Sequence, residues 1–292
     1  VLQETAFAER VNAWYAANAR DLPWRRPGFP AWGTLVSEFM LQQTPVARVI
    51  PHLTAWLERW PSPADLAAEP AGEAVRAWAS LGYPRRALWL HACAVAIAER
   101  YDNVVPSDIH ALLALPGVGD YTARAVAVFA YGLREPVVDT NVRRVLARAI
   151  DGLPDASAPS PRRDLAAMTA LLPAEVPASA RFNAGMMEIG AVVCTARSPR
   201  CGICPLAEVC AWRAAGYPDV QILRKPRQKK YEGSDRQARG AVLAVLRAAD
   251  ASVDRESLSS AVADAAQFDR ALAGLLHDGL IVLAADDRFA LP

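Results

Sequence analysis

No stretch of this 292-residue chain approaches the roughly 20 consecutive apolar residues that a membrane-spanning helix needs. The start, Val1 to Ala6, lacks a basic segment followed by an apolar one, so no secretory leader is expected and the placement that follows is cytoplasmic. Net charge is only +1, so the global basic signature common in nucleic-acid binders is missing. Before residue 230 there are no strong alternating strands, and no repeat recurs at a solenoid period. Cysteine is the scarcest resource, with five in the chain. In a reducing compartment so few thiols exclude a disulfide framework.

What is present is helical. Hydrophobic residues make up 53% and charged residues 22%, enough for a sizeable core with a soluble exterior. Apolar spacing predicts helices over 6–18, 34–43, 46–60, 64–69, 72–81, 84–101, 108–114, 121–131, 141–150, 161–172, 178–193 and 206–215. Pro, Gln, Lys and Gly then cluster over 224–234, a linker composition that includes the basic run Arg224, Lys225, Arg227, Lys229 and Lys230. Beyond it, helices over 236–249, 254–263 and 267–277 and a hairpin turning at 285–287 resemble a small winged-helix module.

Four of the five cysteines, Cys194, Cys201, Cys204 and Cys210, fall within seventeen residues as C-x6-C-x2-C-x5-C. Soft thiolates select zinc or iron–sulfur clusters. Structural zinc sites use paired knuckles, and only Cys201 and Cys204 form one. A cubane needs more loop around it than a single ion does, so the wide spacing favours [4Fe–4S]; structural zinc is the alternative.

Leu115-Pro116-Gly117-Val118-Gly119 separates two predicted helices. Its glycines allow a tight turn and leave the backbone N–H groups of Gly117, Val118 and Gly119 and the next helix start open to an anion, such as a DNA phosphate. L-P-G-x-G also makes ordinary helix–helix turns. Asp139 follows, before a helix that it would cap. The macrodipole and N–H donors are expected to keep it ionised, as stabilising an oxocarbenium-like sugar cation would require.

In this order, L-P-G-V-G, V-D-x-N-V-x-R-V and the four-cysteine loop resemble the helix–hairpin–helix DNA glycosylases. Leu22–Arg25, Ser37–Thr44, Leu81–Tyr83 and Phe182–Ala191 are most similar to the MutY adenine glycosylases. The resemblance covers about Phe7 to Pro226 and implies an all-α fold. Its parts would be a six-helix barrel over about 32–143 and a [4Fe–4S] domain from 1–31 plus 144–226, with 227–292 appended. The implied activity is hydrolysis of the N-glycosidic bond of adenine mispaired with 8-oxoguanine or guanine, by a monomer on double-stranded bacterial DNA.

The resemblance also assigns roles. Glu38 is the general acid toward adenine N7, its proton held by apolar Phe39, Met40 and Leu41. Asp139 stabilises the sugar cation, and Tyr121 and Asn141 line the sugar and the catalytic water. Arg25 and Glu188 contact the extruded base; the alternatives are a surface ion pair and an exposed helix charge. Leu41, Gln42, Gln43 and Tyr83 form a wedge in the base stack, with core packing the alternative for Leu41 and Tyr83. Arg197 and Arg200 carry phosphate contacts from the cysteine loop. His52, His91, His110 and His277 fit no part of the chemistry.

Four departures matter. Relatives that also cut the strand carry a lysine where this chain has Tyr121, so no amine is there for a Schiff base. Thr140 stands where glycine is usual, beside the nucleotide. Pro84-Arg85-Arg86 replaces a second tyrosine and reshapes a DNA-facing loop. The last sixty or so residues are too few for the β-rich domain by which many MutY proteins recognise 8-oxoguanine. They would add duplex contact, bind a partner, or simply pack. Two other functions fit parts of the pattern: a thymine or uracil mismatch glycosylase, and a non-catalytic iron–sulfur DNA-binding protein.

Overall fold

The computed structural model describes residues 2–219 and 230–292. Of the basic run, Arg224, Lys225, Arg227 and Lys229 lie outside the described residues, and Lys230 is exposed. In chain order the helices are α1 (Leu2–Asn18), α2 (Ala31–Leu41), α3 (Val46–Arg59), α4 (Pro63–Ala67), α5 (Ala71–Trp78), α6 (Arg85–Arg100), α7 (Ile109–Leu113) and α8 (Asp120–Phe129). They continue with α9 (Thr140–Ala149), α10 (Pro161–Leu171), α11 (Val176–Val192), α12 (Ala211–Ala214), α13 (Asp235–Ala248), α14 (Arg255–Ser259) and α15 (Ala265–His277). Strands β1 (Val282–Leu283) and β2 (Phe289–Ala290) close the chain. The expected all-α class is the observed one.

Two predicted helices are cut to half their expected length or less. Of 206–215 only α12 is helical; Ala207 N and Val209 N instead close turns on the carbonyls of Cys204 and Leu206, which bend the chain so that Cys210 faces the other cysteines. Over 254–263 only α14 forms. There the Ser259 and Ser260 hydroxyls donate to the carbonyls of Glu256 and Ser257, at 2.8 and 2.7 Å, competing with the helical ladder.

The chain groups into two compact units. The first comprises Val1–Phe29, Ser107–Ile109 and Gly119–Lys225. Here α1, α9, α10 and α11 surround Phe7, Val11, Met168, Phe182, Met186 and Ile189. In α9, Val142, Val145, Leu146 and Ala149 recur at helical spacing and supply its buried face. Gly185 lets α11 approach α1, since a Cβ there would lie 2.7 Å from Val11 Cγ1.

The second unit comprises Pro30–Pro106, His110–Val118 and Pro226–Pro292. Its core is built on tryptophan: Trp56 meets Trp60 and Trp78 edge-on, at 4.7 and 5.8 Å between ring centroids. Trp32 Nε1 donates to the Trp60 carbonyl at 3.0 Å. Proline helps start the short α4, where Ser62 and Asp65 form a capping box.

Residues 230–292 group with this unit. The helices α13 and α15 pack through Val242, Leu246, Phe268 and Leu275, all buried. The strands pair antiparallel with Val282 opposite Ala290, and Val253 adds a bridge to Phe289. Two arginines clasp α13 to α5. Arg76 of α5 donates to the carbonyls of Arg247 and Ala249, the latter at 3.0 Å. Arg247 Nε returns a hydrogen bond to the Val75 carbonyl at 3.0 Å, and burial pulls the Arg247 guanidinium down to about 10. Gly72 N also donates to the Pro292 oxygen, at 2.5 Å.

Residues 230–292 by themselves carry no surplus of basic charge for extra duplex contact, whereas the linker before them is basic. Residues 230–292 hold seven lysines and arginines against ten aspartates and glutamates. Arg239, Arg255 and Arg270 are ion-paired with Asp278, Asp269 and Asp235.

Candidate functional site

Asp139 ends an extended segment and caps α9. Its Oδ1 accepts from Val142 N at 2.7 Å and its Oδ2 from Asn141 Nδ2 at 2.8 Å. Asn141 Oδ1 accepts from Arg144 Nη2 at 2.9 Å, and Arg144 Nε donates to the Cys194 carbonyl at 2.7 Å. Arg144 Nη2 also donates to the Gly190 carbonyl at 2.6 Å. Gly190 makes this approach possible: a Cβ there would lie 2.7 Å from Asn141 Cβ and 2.9 Å from its carbonyl carbon. Two effects oppose each other at this carboxyl. Burial pushes the Asp139 carboxyl above the usual carboxylate range, although the Val142 and Asn141 donors and the Arg144 charge pull the other way. Loss of water outweighs the cap. Thr140 is exposed at the first position of α9.

Tyr121 sits in the first turn of α8, half-buried against Ala125, Val128 and Val137. Glu188, on α11, has a completely buried side chain, which removes the exposed helix charge as its alternative. Its Oε1 accepts from Arg20 Nε at 2.6 Å, and its Oε2 from Arg20 Nη2 and Arg25 Nη2, both at 2.8 Å. Burial alone would push this carboxyl up, but the two guanidiniums outweigh it and hold it at about 2. The structure thus brings Arg25 and Glu188 together and adds Arg20, which the sequence reading missed.

All four loop cysteines line one cavity, with Arg148, Arg200 and Trp212. Among the described residues no three His, Cys, Asp or Glu side chains close on a point that would hold a single metal ion. Four thiols lining a shared cavity are the donor set of an iron–sulfur cluster. Burial pushes Cys204 up to about 11 and raises Cys194, against the opposing Arg148 hydrogen bond at 3.4 Å. Loading a cluster therefore has to displace protons. Arg148, also missed, is buried in the cavity wall, donating to the Thr195 carbonyl at 2.8 Å and stacking on Trp212 at 4.8 Å. Arg197 is exposed. Arg200 is exposed as well, but its guanidinium turns back on the Val192 carbonyl, with Nε at 3.0 Å.

In the second unit Glu38 lies on α2, 5% exposed between buried Ser37 and Phe39. Leu41 and Gln42 are half-buried and Gln43 is exposed. Tyr83 is 47% exposed, which excludes core packing for it. Arg86, expected in a DNA-facing loop, is instead 3% exposed, because its guanidinium serves the backbone beneath; Arg85 stays outside, facing Trp89 and Asp278. At the hairpin, Gly117 has φ +75° and packs so closely that a Cβ would lie 2.6 Å from Trp89 Cβ and 2.9 Å from Phe39 Cε1. Val118 is buried and its N–H bonds the Leu115 carbonyl at 3.2 Å, while Gly119 caps α8.

Residues 36–162 match the HhH-GPD superfamily of base excision DNA repair proteins, and residues 194–210 match the iron–sulfur binding domain of endonuclease III. The chain is 57% identical over 280 residues to the adenine DNA glycosylase of Mycolicibacterium smegmatis, covering 96% of this chain and 94% of that protein. It is 56% identical over 282 residues to the adenine DNA glycosylase of Mycobacterium tuberculosis, covering 96% and 91%. A thermostable thymine-DNA glycosylase shares the fold, with a TM-score of 0.64 at 24% identity over 73% of this chain and 98% of its own.

Proposed function

The chain belongs to the HhH-GPD superfamily and, within it, to the adenine DNA glycosylases, and from that premise we propose that it excises adenine mispaired with 8-oxoguanine or guanine and leaves an abasic site. The observation that carries this reading is Asp139, whose two carboxylate oxygens are held by Val142 N and Asn141 Nδ2 at the start of α9.

The target adenine cannot react inside the stack, so it is extruded. Glu38 gives its proton to N7, turning adenine into a neutral leaving group as the C1′–N9 bond breaks. Asp139, ionised, faces the positive charge that develops on the sugar. Water, oriented by Asn141 and Tyr121, adds to C1′ and gives its proton to the Glu38 carboxylate, which restores the general acid. Tyr121 offers no amine, so the product is an abasic site with the strand intact. Arg25 and Glu188 shape the pocket for the base, with Arg20 locking the pair. Leu41, Gln42, Gln43 and Tyr83 enter the stack, and the exposure of Tyr83 and Gln43 supports that role. Gly117 and Gly119, with Arg197 and Arg200, meet phosphate, while the Val118 N–H is engaged by the Leu115 carbonyl.

The [4Fe–4S] cluster, held by Cys194, Cys201, Cys204 and Cys210, cross-links their loop when bound. Its service is structural, and the chemistry rests on the carboxylates. The enzyme acts as a monomer in the bacterial cytoplasm.

Duplexes carrying A:8-oxoG, A:G, T:G or U:G, incubated with the holoenzyme and then treated with alkali, test this. Cleavage is expected only at the adenine strand of the first two. Cleavage at T or U alone would give the mismatch thymine–uracil activity instead, and none at all a non-catalytic DNA binder.

A further inference from the structure

We infer that Arg86 is the positioning residue of the stack-entering wedge: one buried guanidinium ties the end of α2 to the 82–83 loop and sets the presentation of both. The inference rests on the wedge reading above. Arg86 Nη1 donates to the carbonyls of Phe39, Met40 and Gln42, at 2.7, 3.2 and 2.6 Å. Its Nη2 donates to Thr44 Oγ1 at 3.2 Å and to the Gly82 carbonyl at 3.0 Å. Every one of these acceptors is a neutral oxygen. The flat cation lies near the Trp78 and Tyr83 rings, at 5.2 and 5.4 Å.

The buried Nε has no hydrogen-bond partner, so the side chain is placed to serve the two loops rather than to satisfy all of its own donors. The carbonyls at a helix C-terminus lack partners within the helix, and a cation there complements the helix dipole. At the end of α2 no glycine provides the usual left-handed stop, and the chain turns at Gln43 with φ +57°. The second loop is also left-handed, with φ +82° at Gly82 and +48° at Tyr83. A tyrosine in that region is held by its surroundings or not at all. Arg86 touches the segment before each reversal, so one side chain constrains Gln42–Thr44 and Gly82–Tyr83 together. The helix it caps also carries Glu38.

Lysine could not replace it. An ammonium is a single point of donation, whereas the guanidinium fork reaches two groups in fixed directions. Preorganisation of this kind acts on the step in which the loops enter the duplex.

A duplex with A opposite 8-oxoguanine and 2-aminopurine next to the target adenine reports that step, because 2-aminopurine brightens when unstacked. The holoenzyme and the variants Tyr83→Ala, Arg86→Met and the double variant are compared by fluorescence on binding and by single-turnover excision at saturating enzyme. Thermal unfolding and iron content serve as controls. Each single variant is expected to lose the fluorescence rise and at least tenfold in excision rate. The double variant is expected to lose no more than the worse single one, because both disable the same device. Losses that multiply, or a full signal in Arg86→Met beside a lost one in Tyr83→Ala, would overturn the assignment while leaving the wedge standing. A full signal in Tyr83→Ala would bring down the wedge and this inference with it. Should Arg86→Met fail to fold, Arg86→Lys carries the test: it keeps stem and charge, is expected to share the loss, and refutes the inference if it does not.

Discussion

Arg144 Nε donates to the carbonyl oxygen of Cys194 at 2.7 Å, joining the helix that Asp139 caps to the first residue of the cysteine loop. The same guanidinium holds Asn141 Oδ1 at 2.9 Å and the Gly190 carbonyl at 2.6 Å. Removing it strands three acceptors in a largely buried place. Arg144→Met is expected to cost on the order of 3 kcal/mol in stability and to lower iron content and excision rate together. Chemical denaturation, iron per chain and single-turnover excision measured on one preparation check this. Full iron with full activity would show that Arg144 serves neither.

The raised Asp139 carboxyl makes a prediction in which stability and activity part company. A carboxyl whose folded value lies above its unfolded one binds its proton more tightly in the folded state. Stability therefore falls as pH rises from the ordinary aspartate value of about 3.9 through the folded value, and the whole cost is present at neutral pH. Asparagine removes that cost and remains a good cap. Asp139→Asn is expected to be at least as stable as the parent at pH 7, with no such advantage at acid pH. Its excision rate should drop by roughly a thousandfold, about 4 kcal/mol of transition-state stabilisation, with DNA binding kept. Strong residual excision would refute the assigned role. In the parent, excision should fall on the acid side at a pH above the usual carboxylate range.

Glu188 has the opposite sign. Its carboxyl is held at about 2, so its pairing with Arg20 and Arg25 contributes stability above the ordinary carboxylate range. That contribution is lost as pH falls toward the folded value. Glu188→Gln leaves two guanidiniums facing a neutral amide, a loss on the order of 3 kcal/mol for a buried pair. Urea midpoints for parent and variant at several pH values would converge as the pH is lowered; a gap independent of pH would deny the pairing this role.

A methyl group is a sharper probe of the α9–α11 contact. In Gly190→Ala the new carbon would meet the Asn141 backbone at 2.9 Å, and backbone cannot rotate away. The variant is expected to lose roughly 1–3 kcal/mol, the usual range for overpacking. It should also lose excision through displacement of Asn141, while Gly202→Ala, which meets nothing within 4 Å, changes neither.

Much of this was legible in the sequence, for identifiable reasons. Val142, Val145, Leu146 and Ala149 announce α9 by period alone, and the cysteine spacing announces its own cavity. Asp139 and Glu38 are visible only through their surrounding motifs, because a single carboxylate carries no pattern. The arginines were the hardest to read. Arg20, Arg86, Arg144 and Arg148 look like surface residues in a chain this rich in arginine, and the last three bond mainly to backbone carbonyls. Carbonyl acceptors have no letter in the sequence, so nothing marks which arginines they will draw inside. The overlong helix expected over 206–215 failed for a related reason: closing a loop around a cofactor is a tertiary demand that helix-forming residues do not reveal.

The clasp of Arg76 and Arg247 has a bearing on how this enzyme could be shortened. Cutting the chain after residue 230 would not trim a decoration. It would unroof the arginine on α5, whose acceptors are the end of α13, and take away the donor that occupies the Val75 carbonyl and the acceptor of Gly72 N. A minimal catalytic fragment would therefore need Arg76, Val75 and Gly72 redesigned for water, much as an interface must be when a subunit is removed.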